Sequence, residues 1–314
     1  MKRVAFVYPG QGSQVVEMGR DLYEEFPQVR ELFNAANNRL GYDLTSIMFE
    51  GPQEALTKTE NTQPALLTVS TALTNLLAEN GIKPVVTSGH SLGEYSALVA
   101  AQAISYADAV QLVHQRGKLM ESAYPAGKGS MAAVLGMEQE TLQKELQSIS
   151  EQTNEVVEIA NLNCPGQIVI SGAKAAIDVA VEQLKAAGAK RVLPLTVSGP
   201  FHSSLMKPAA IEFEQLVGEV DWSDAEVPVY ANVTAEKVTE QEQIKGLLVE
   251  QLYCPVRFEE IIEQLLEEEL DAIVEVGSGK VLTGLVKKVH RRAKTFSVQD
   301  VASLHAFMDW MKEE

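Results

Sequence analysis

The chain has little cysteine, few aromatics, a deficit of basic charge and no long apolar run. Its two cysteines, Cys164 and Cys254, are each followed by proline. Isolated cysteines of this kind give no zinc-ligand spacing, no CxxC pair and no disulfide framework, so both are expected buried and reduced, as in a cytoplasmic protein. Lysine and arginine number 26 against 43 aspartates and glutamates, for a net charge of −17. Such a field repels nucleic acid and anionic lipid, and neither is an expected partner. The apolar stretch 4–8 is too short for a signal-peptide core, and no other run approaches the roughly 20 residues of a membrane span. No HExxH or paired-ligand spacing occurs, so no metal is expected. There is no internal repeat and no low-complexity segment.

What is present reads as an ordinary globular protein: 46% hydrophobic and 22% charged residues in a chain of 314. That length is generous for a single core, so a large domain with a smaller insertion is expected. Residues 4–8 read as a buried strand ended by Pro9-Gly10, and residues 20–40 as amphipathic helix. Thr62-Gln63-Pro64 is expected to open a helix, with Thr62 as cap, Pro64 in the first turn and Gly81 as stop. Residues 85–88 form a second buried strand running through Gly89-His90-Ser91-Leu92-Gly93 into a helix of small residues. Residues 106–122 are again helical.

The texture changes at Pro125-Ala126-Gly127-Lys128-Gly129. From there to about 195 the order is strand, helix, strand, strand, helix, strand, the ferredoxin-like arrangement. This predicts a self-contained subdomain over 128–196, with residues 1–127 and 197–314 forming a discontinuous core and Ser198-Gly199-Pro200 returning the chain to it. Strands at 227–233 and 272–276, with helices at 206–217, 240–253 and 257–269, complete a mostly parallel α/β sheet covered on both faces.

Gly89-His90-Ser91-Leu92-Gly93 fits G-x-S-x-G between a predicted strand and a predicted helix. The spacing has a mechanical reason. The turn is sharp, and glycines on either side let strand and helix approach closely while Ser91 is pushed out at the helix N-terminus. The Leu92 backbone N–H and the helix dipole then favour a developing oxyanion. A serine hydroxyl needs a base. Among the five histidines, His90 is expected to face away, His114 to pack in a helix, and His290 and His305 to be solvated. His202, on a loop re-entering the core ahead of a helix, is the favoured base. Two other glycine motifs carry no nucleotide reading. Residues 10–15 lack the third glycine of a dinucleotide fingerprint. Residues 274–281 have Val274 and Val281 where a P-loop needs Gly and Ser/Thr.

Taken together, Pro9-Gly10-Gln11-Gly12-Ser13-Gln14, the Gly89–Tyr95 motif, Gln115-Arg116-Gly117, residues 161–167, Gly199-Pro200-Phe201-His202, Gln251-Leu252-Tyr253 and residues 275–282 resemble, in the same order, the malonyl-CoA:acyl carrier protein transacylases of fatty-acid synthesis. The likeness runs from residue 4 to about 298. It implies an α/β-hydrolase-like core with a ferredoxin-like insert, Ser91 as nucleophile and His202 as base. It implies an oxyanion hole from the N–H groups of Gln11 and Leu92, and a Gln251 backbone carbonyl that orients His202 in place of an acid. Arg116 would pair with the free carboxylate of malonate, a role that suits a guanidinium; read without the resemblance it is an ordinary helix-face arginine. The expected substrates are malonyl-CoA and acyl carrier protein. Coenzyme A and phosphopantetheine enter as substrates, and no cofactor is needed.

Three other readings share these residues. A serine esterase or thioesterase would have no use for Arg116. A related acyltransferase of polyketide synthesis is set against Phe201 beside His202, which resembles the malonyl-selecting form. A non-catalytic module on the same fold is set against the intact Ser91, His202 and Arg116. Asn161, Asn163 and Gln167 fit a cleft lining and cap or turn roles equally. A basic stretch including Lys287, Lys288, Arg291 and Arg292, with no acid between Val276 and Gln299, is a candidate docking site for an acidic carrier. A solvated helix face explains it as well.

Overall fold

The computed structural model describes residues 2–125, 127–197 and 199–313. Ala126 and Ser198, which belong to the two expected crossovers, lie outside the described residues.

The strands are β1 (Val4–Tyr8), β2 (Val86–Gly89), β3 (Gly129–Leu135), β4 (Val157–Cys164), β5 (Gln167–Ala173), β6 (Arg191–Pro194), β7 (Val229–Tyr230), β8 (Lys237–Val238), β9 (Val256–Arg257), β10 (Ala272–Val276) and β11 (Thr295–Val298). They form a six-stranded sheet in the order β11-β10-β1-β2-β7-β8 and a five-stranded sheet in the order β6-β3-β5-β4-β9. The larger sheet is parallel except for β8. Every residue of β1 and β10 is buried, because helices cover both faces of such a sheet. Val4, Phe6 and Tyr8 pack into the core on one face, while Ala5 and Val7 pack into a separate core on the other, following the two-residue period of a strand.

The second sheet has the expected strand-helix-strand-strand-helix-strand order, antiparallel within itself, with its own core around Val134, Leu142, Ile170 and Leu184. It is not self-contained. β9, from beyond residue 200, adds a parallel edge strand beside β4, and so ties this sheet to the rest of the chain.

Three sequence expectations need correction. Residues 20–40 form two helices, Arg20–Glu25 and Pro27–Leu40, broken where Phe26 is extended ahead of Pro27. The strand expected over 227–233 is only Val229–Tyr230, because the chain turns at once and the Ala231 N–H bonds back to the Glu236 carbonyl at 3.0 Å. The helix expected to open at Thr62 begins at Thr59 and runs to Glu79 with Pro64 inside it. Proline there leaves the carbonyl four residues back, Glu60, without its helical donor. The ring of His114 supplies the bond instead, at 2.8 Å from Nδ1.

Among the described residues no helix is long and apolar enough to cross a membrane.

Candidate active site

β1 and β2 run side by side and end together, with Tyr8 paired to Gly89. The loops that leave the carboxyl ends of parallel strands are where such sheets build sites, and here they carry Gln11 after β1, Ser91 after β2 and Asn232 after β7. The contacts are close enough to require glycine. A Cβ on Gly93 would lie 2.0 Å from the Tyr8 carbonyl oxygen, and one on Gly89 would lie 1.9 Å from the Gly93 carbonyl carbon. Gly10 meets the His90 carbonyl oxygen at 2.3 Å in the same way, which brings the Gln11 loop against the serine turn.

Ser91 itself has φ +50°, a strained backbone for a residue with a side chain. Its N–H donates to Asn232 Oδ1 at 2.7 Å, and Asn232 Nδ2 donates to the Gly89 carbonyl at 2.7 Å. The asparagine therefore straps both sides of the turn. The helix Gly93–Ala100 follows immediately. The N–H groups of Leu92 and Gln11 take no part in the backbone bonds of these turns among the described residues, and both residues line the cleft beside Ser91.

His202 also has a positive φ, +58°, and is 4% exposed. Its Nδ1 lies 2.7 Å from the Gln251 carbonyl oxygen. A carbonyl only accepts, so Nδ1 carries the proton, and Nε2 presents a lone pair to the Ser91 hydroxyl at 2.8 Å. Gln251 caps the C-terminus of the helix Gln241–Glu250, where carbonyls lack helical partners and the dipole is negative. The neighbouring Leu252 carbonyl accepts the His202 N–H at 3.1 Å. A helix end thus stands where many serine enzymes place a carboxylate. Burial, reinforced by the Arg116 charge, depresses His202 to about 3, so the imidazole is neutral in the resting site.

Arg116 projects from the helix Tyr106–Ser122 and is 1% exposed. Its Nη1 donates to Gln63 Oε1 at 2.9 Å, and its Nη2 donates to Gln251 Oε1 at 2.8 Å and to Ser91 Oγ at 3.3 Å. The guanidinium also lies 5.2 Å from the Tyr95 ring centre. Burial pulls its pKa down while the neighbouring Tyr95 and Glu94 push it up, and it remains a cation.

The structure thus brings together Ser91, His202, Arg116, Gln11 and Leu92 around one cleft of about 100 Å³, which Met131 and Leu195 of the smaller sheet region also line, with Gln251 buried behind His202 and Arg116. His90 contributes through its ring, with Nε2 at 2.8 Å from Asn163 Oδ1. The basic residues stand apart. Lys287 and Lys288 end the helix Val281–Val289, where Lys288 Nζ donates to Gln167 Oε1 at 2.6 Å and Lys287 Nζ to the Ala293 carbonyl. Arg291 and Arg292 are exposed in the loop that follows. The glycine-rich residues 276–280 are structural: buried Glu275 accepts from the N–H groups of Leu282 and Thr283 at 3.1 and 2.8 Å, capping that helix.

Sequence reading missed Glu94, Asn232, Gln63 and the side chain of Gln251. Glu94 had a signal, as the one charged residue in a helix of small and apolar neighbours. The other three had none, because their partners are distant in sequence.

A serine hydroxyl bonded to a neutral, oriented imidazole, with the Leu92 N–H at a helix start and the Gln11 N–H on the facing loop, has the geometry that acyl transfer through a serine ester requires. The acyl transferase domain family matches residues 5–307, and the chain belongs to that family. It is 52% identical over its whole length to the malonyl CoA-acyl carrier protein transacylase of Bacillus subtilis, covering 99% of that protein. An acyl carrier protein S-malonyltransferase from Vibrio cholerae superposes with a TM-score of 0.94 at 45% identity, over 97% of this chain and 99% of that one. A malonyl-transacylase solved in complex with a type II polyketide-synthase acyl-carrier protein gives 0.95 at 42% identity, over 98% and 99% of the two chains.

Proposed function

We propose that this acyltransferase moves a malonyl group from coenzyme A to the phosphopantetheine thiol of an acyl carrier protein, supplying fatty-acid synthesis in the cytoplasm. The observation that carries the reading is the convergence of His202 and Arg116 on one hydroxyl, that of Ser91. One partner removes a proton; the other holds a charge that only a carboxylated acyl group uses.

The Ser91 oxygen attacks the thioester carbonyl, and its proton passes to His202 Nε2. The tetrahedral oxyanion lies between the N–H groups of Gln11 and Leu92. Collapse breaks the carbon–sulfur bond and releases coenzyme A as thiolate, a leaving group with a pKa of about 8–9 that needs little acid help. The imidazolium formed meanwhile is steadied by the Gln251 carbonyl and the helix end behind it, and gives its proton to the departing coenzyme A sulfur, so the ring is neutral again for the second half-reaction. The carrier thiol then attacks the malonyl ester, giving its proton to His202, which returns it to the Ser91 oxygen. Two half-reactions sharing one site give ping-pong kinetics. The chemistry uses no metal or cofactor. During acylation the malonyl carboxylate takes the place of the Ser91 oxygen on Arg116 Nη2, while the bond to Gln251 Oε1 is kept.

Carrier docking is assigned to Lys287, Lys288, Arg291 and Arg292. Lys288 reaches Gln167 at the start of β5, next to the β4 segment whose Asn163 holds His90. The patch stands outside the cleft lining, linked to it only through this strand pair, and offers positive charge on an otherwise acidic chain.

Incubation with malonyl-CoA and phosphopantetheinylated carrier should yield malonyl-carrier by mass spectrometry. Free malonate with unmodified carrier would instead identify a thioesterase. A polyketide carrier is the second reading, favoured by the solved complex of a relative. The ratio of kcat/KM for the two carriers separates them.

A further inference from the structure

Glu94 sits at a depth where a lone carboxylate is costly, 3% exposed. Its Oε2 accepts from the Asn232 backbone N–H at 3.1 Å and from Gln251 Nε2 at 2.7 Å. Burial raises its pKa to about 7, against these two bonds and the Arg116 charge, which lower it. No direct ion pair joins Glu94 to Arg116. The Gln251 amide lies between them, with its Oε1 accepting from Arg116 Nη2 at 2.8 Å.

The chemistry of the three groups fixes the direction of this chain. Glu94 Oε2 accepts both of its bonds, as either oxygen of a carboxylate or the carbonyl oxygen of a protonated carboxyl does, and a guanidinium only donates. The amide between them has one arrangement that satisfies both, nitrogen toward Glu94 and oxygen toward Arg116. Gln63 holds the guanidinium by Nη1 from its other end, so the plane of the cation is set at two points.

We propose that Glu94 and the Gln251 side chain are positioning residues that hold the Arg116 guanidinium aimed at the acyl pocket, and so set the preference for carboxylated acyl groups. The proposal rests on Arg116 being the partner of the malonyl carboxylate. Gln251 then serves twice, through its carbonyl to His202 and through its amide to Arg116. One residue thus orients both the base and the selectivity group.

The readout is the ratio of kcat/KM for malonyl-CoA to that for acetyl-CoA, measured by single-turnover acylation of the full chain. A residue that merely supports the fold would slow both donors and leave the ratio unmoved. Glu94→Ala and Gln251→Ala should each lower the ratio about tenfold, mainly through a higher KM for malonyl-CoA, and the double variant should lose no more than either alone. Glu94→Gln keeps an acceptor oxygen for both donors and should recover most of the loss. If Glu94→Ala does not fold, Gln251→Ala and its pairing with Glu94→Gln carry the same test. Arg116→Ala is run alongside. A ratio lost in Arg116→Ala but kept in the Glu94 and Gln251 variants overturns the relay and leaves the role of Arg116 standing. A ratio kept in Arg116→Ala overturns the underlying reading and the relay with it.

Discussion

Replacing Arg116 with alanine removes a buried cation at the point where the malonyl carboxylate is expected. Opposite charges about 4 Å apart attract by about 4 kcal/mol at the effective dielectric typical of proteins. Part of this is already committed, because Nη2 bonds Gln251 and, at a longer 3.3 Å, Ser91. The carboxylate must displace the weak Ser91 contact, while the bond to Gln251 stays. A net loss of about 2–3 kcal/mol in transition-state binding follows, at the lower end of the range for breaking a buried charge pair. At 1.4 kcal/mol per factor of ten, that is roughly a 30- to 150-fold fall in kcat/KM for malonyl-CoA. Acetyl-CoA has no carboxylate to lose a partner, so its fall should be far smaller. The assay is quenched-flow acylation with each donor, beside a thermal melt to account for the acceptors left on Gln63 and Gln251. Equal losses for both donors would show that Arg116 only braces the site, and the selectivity argument would fail.

The depressed pKa of His202 predicts a ring that is neutral at pH 5, with Nδ1 protonated, in 15N NMR of the imidazole nitrogens; a midpoint near 6.5 would contradict the burial argument. The sign for folding follows: this histidine contributes stability that is complete above its unfolded value near 6.5 and is lost as pH falls toward about 3. Gly93→Ala should abolish acylation and lower stability by about 1–3 kcal/mol in denaturant melts, because its Cβ would meet the Tyr8 carbonyl at 2.0 Å; a stable, active variant would refute the packing of the turn. Reversing Lys287, Lys288, Arg291 and Arg292 to glutamate should raise the KM for carrier and flatten its salt dependence while carrier-free acylation changes little. Unaltered carrier kinetics would move the docking site elsewhere.

What was legible in the sequence was local. The serine turn could be read because strand, glycines and helix start lie within a few residues, and each has a steric reason to be there. The alternation of strands and helices was readable from periodicity, including the six-element order around the second sheet. Local rules failed where distant groups intervened. Proline ordinarily marks a first helical turn, but His114 repairs the Glu60 carbonyl and lets the helix start at Thr59. β7 stops short because its chain turns to deliver Asn232 to the serine loop. The Glu94–Gln251–Arg116 chain joins residues from three separate helical regions. Arg116 and the Gln251 carbonyl came from the resemblance, but their link through the Gln251 amide did not, and Glu94 left only the trace of a charge in an apolar helix. The last helix, Val301–Lys312, was also missed although Asp300 and Ser303 form a capping box at its start.

The central claim is that a malonyl ester forms on Ser91. The direct measurement is mass spectrometry of the acid-quenched protein after brief exposure to malonyl-CoA without carrier, followed by peptide mapping. The account predicts one malonyl adduct, located on Ser91, absent in Ser91→Ala and discharged when carrier thiol is added. An adduct on another residue, or malonyl transfer to carrier that persists in Ser91→Ala, would contradict it.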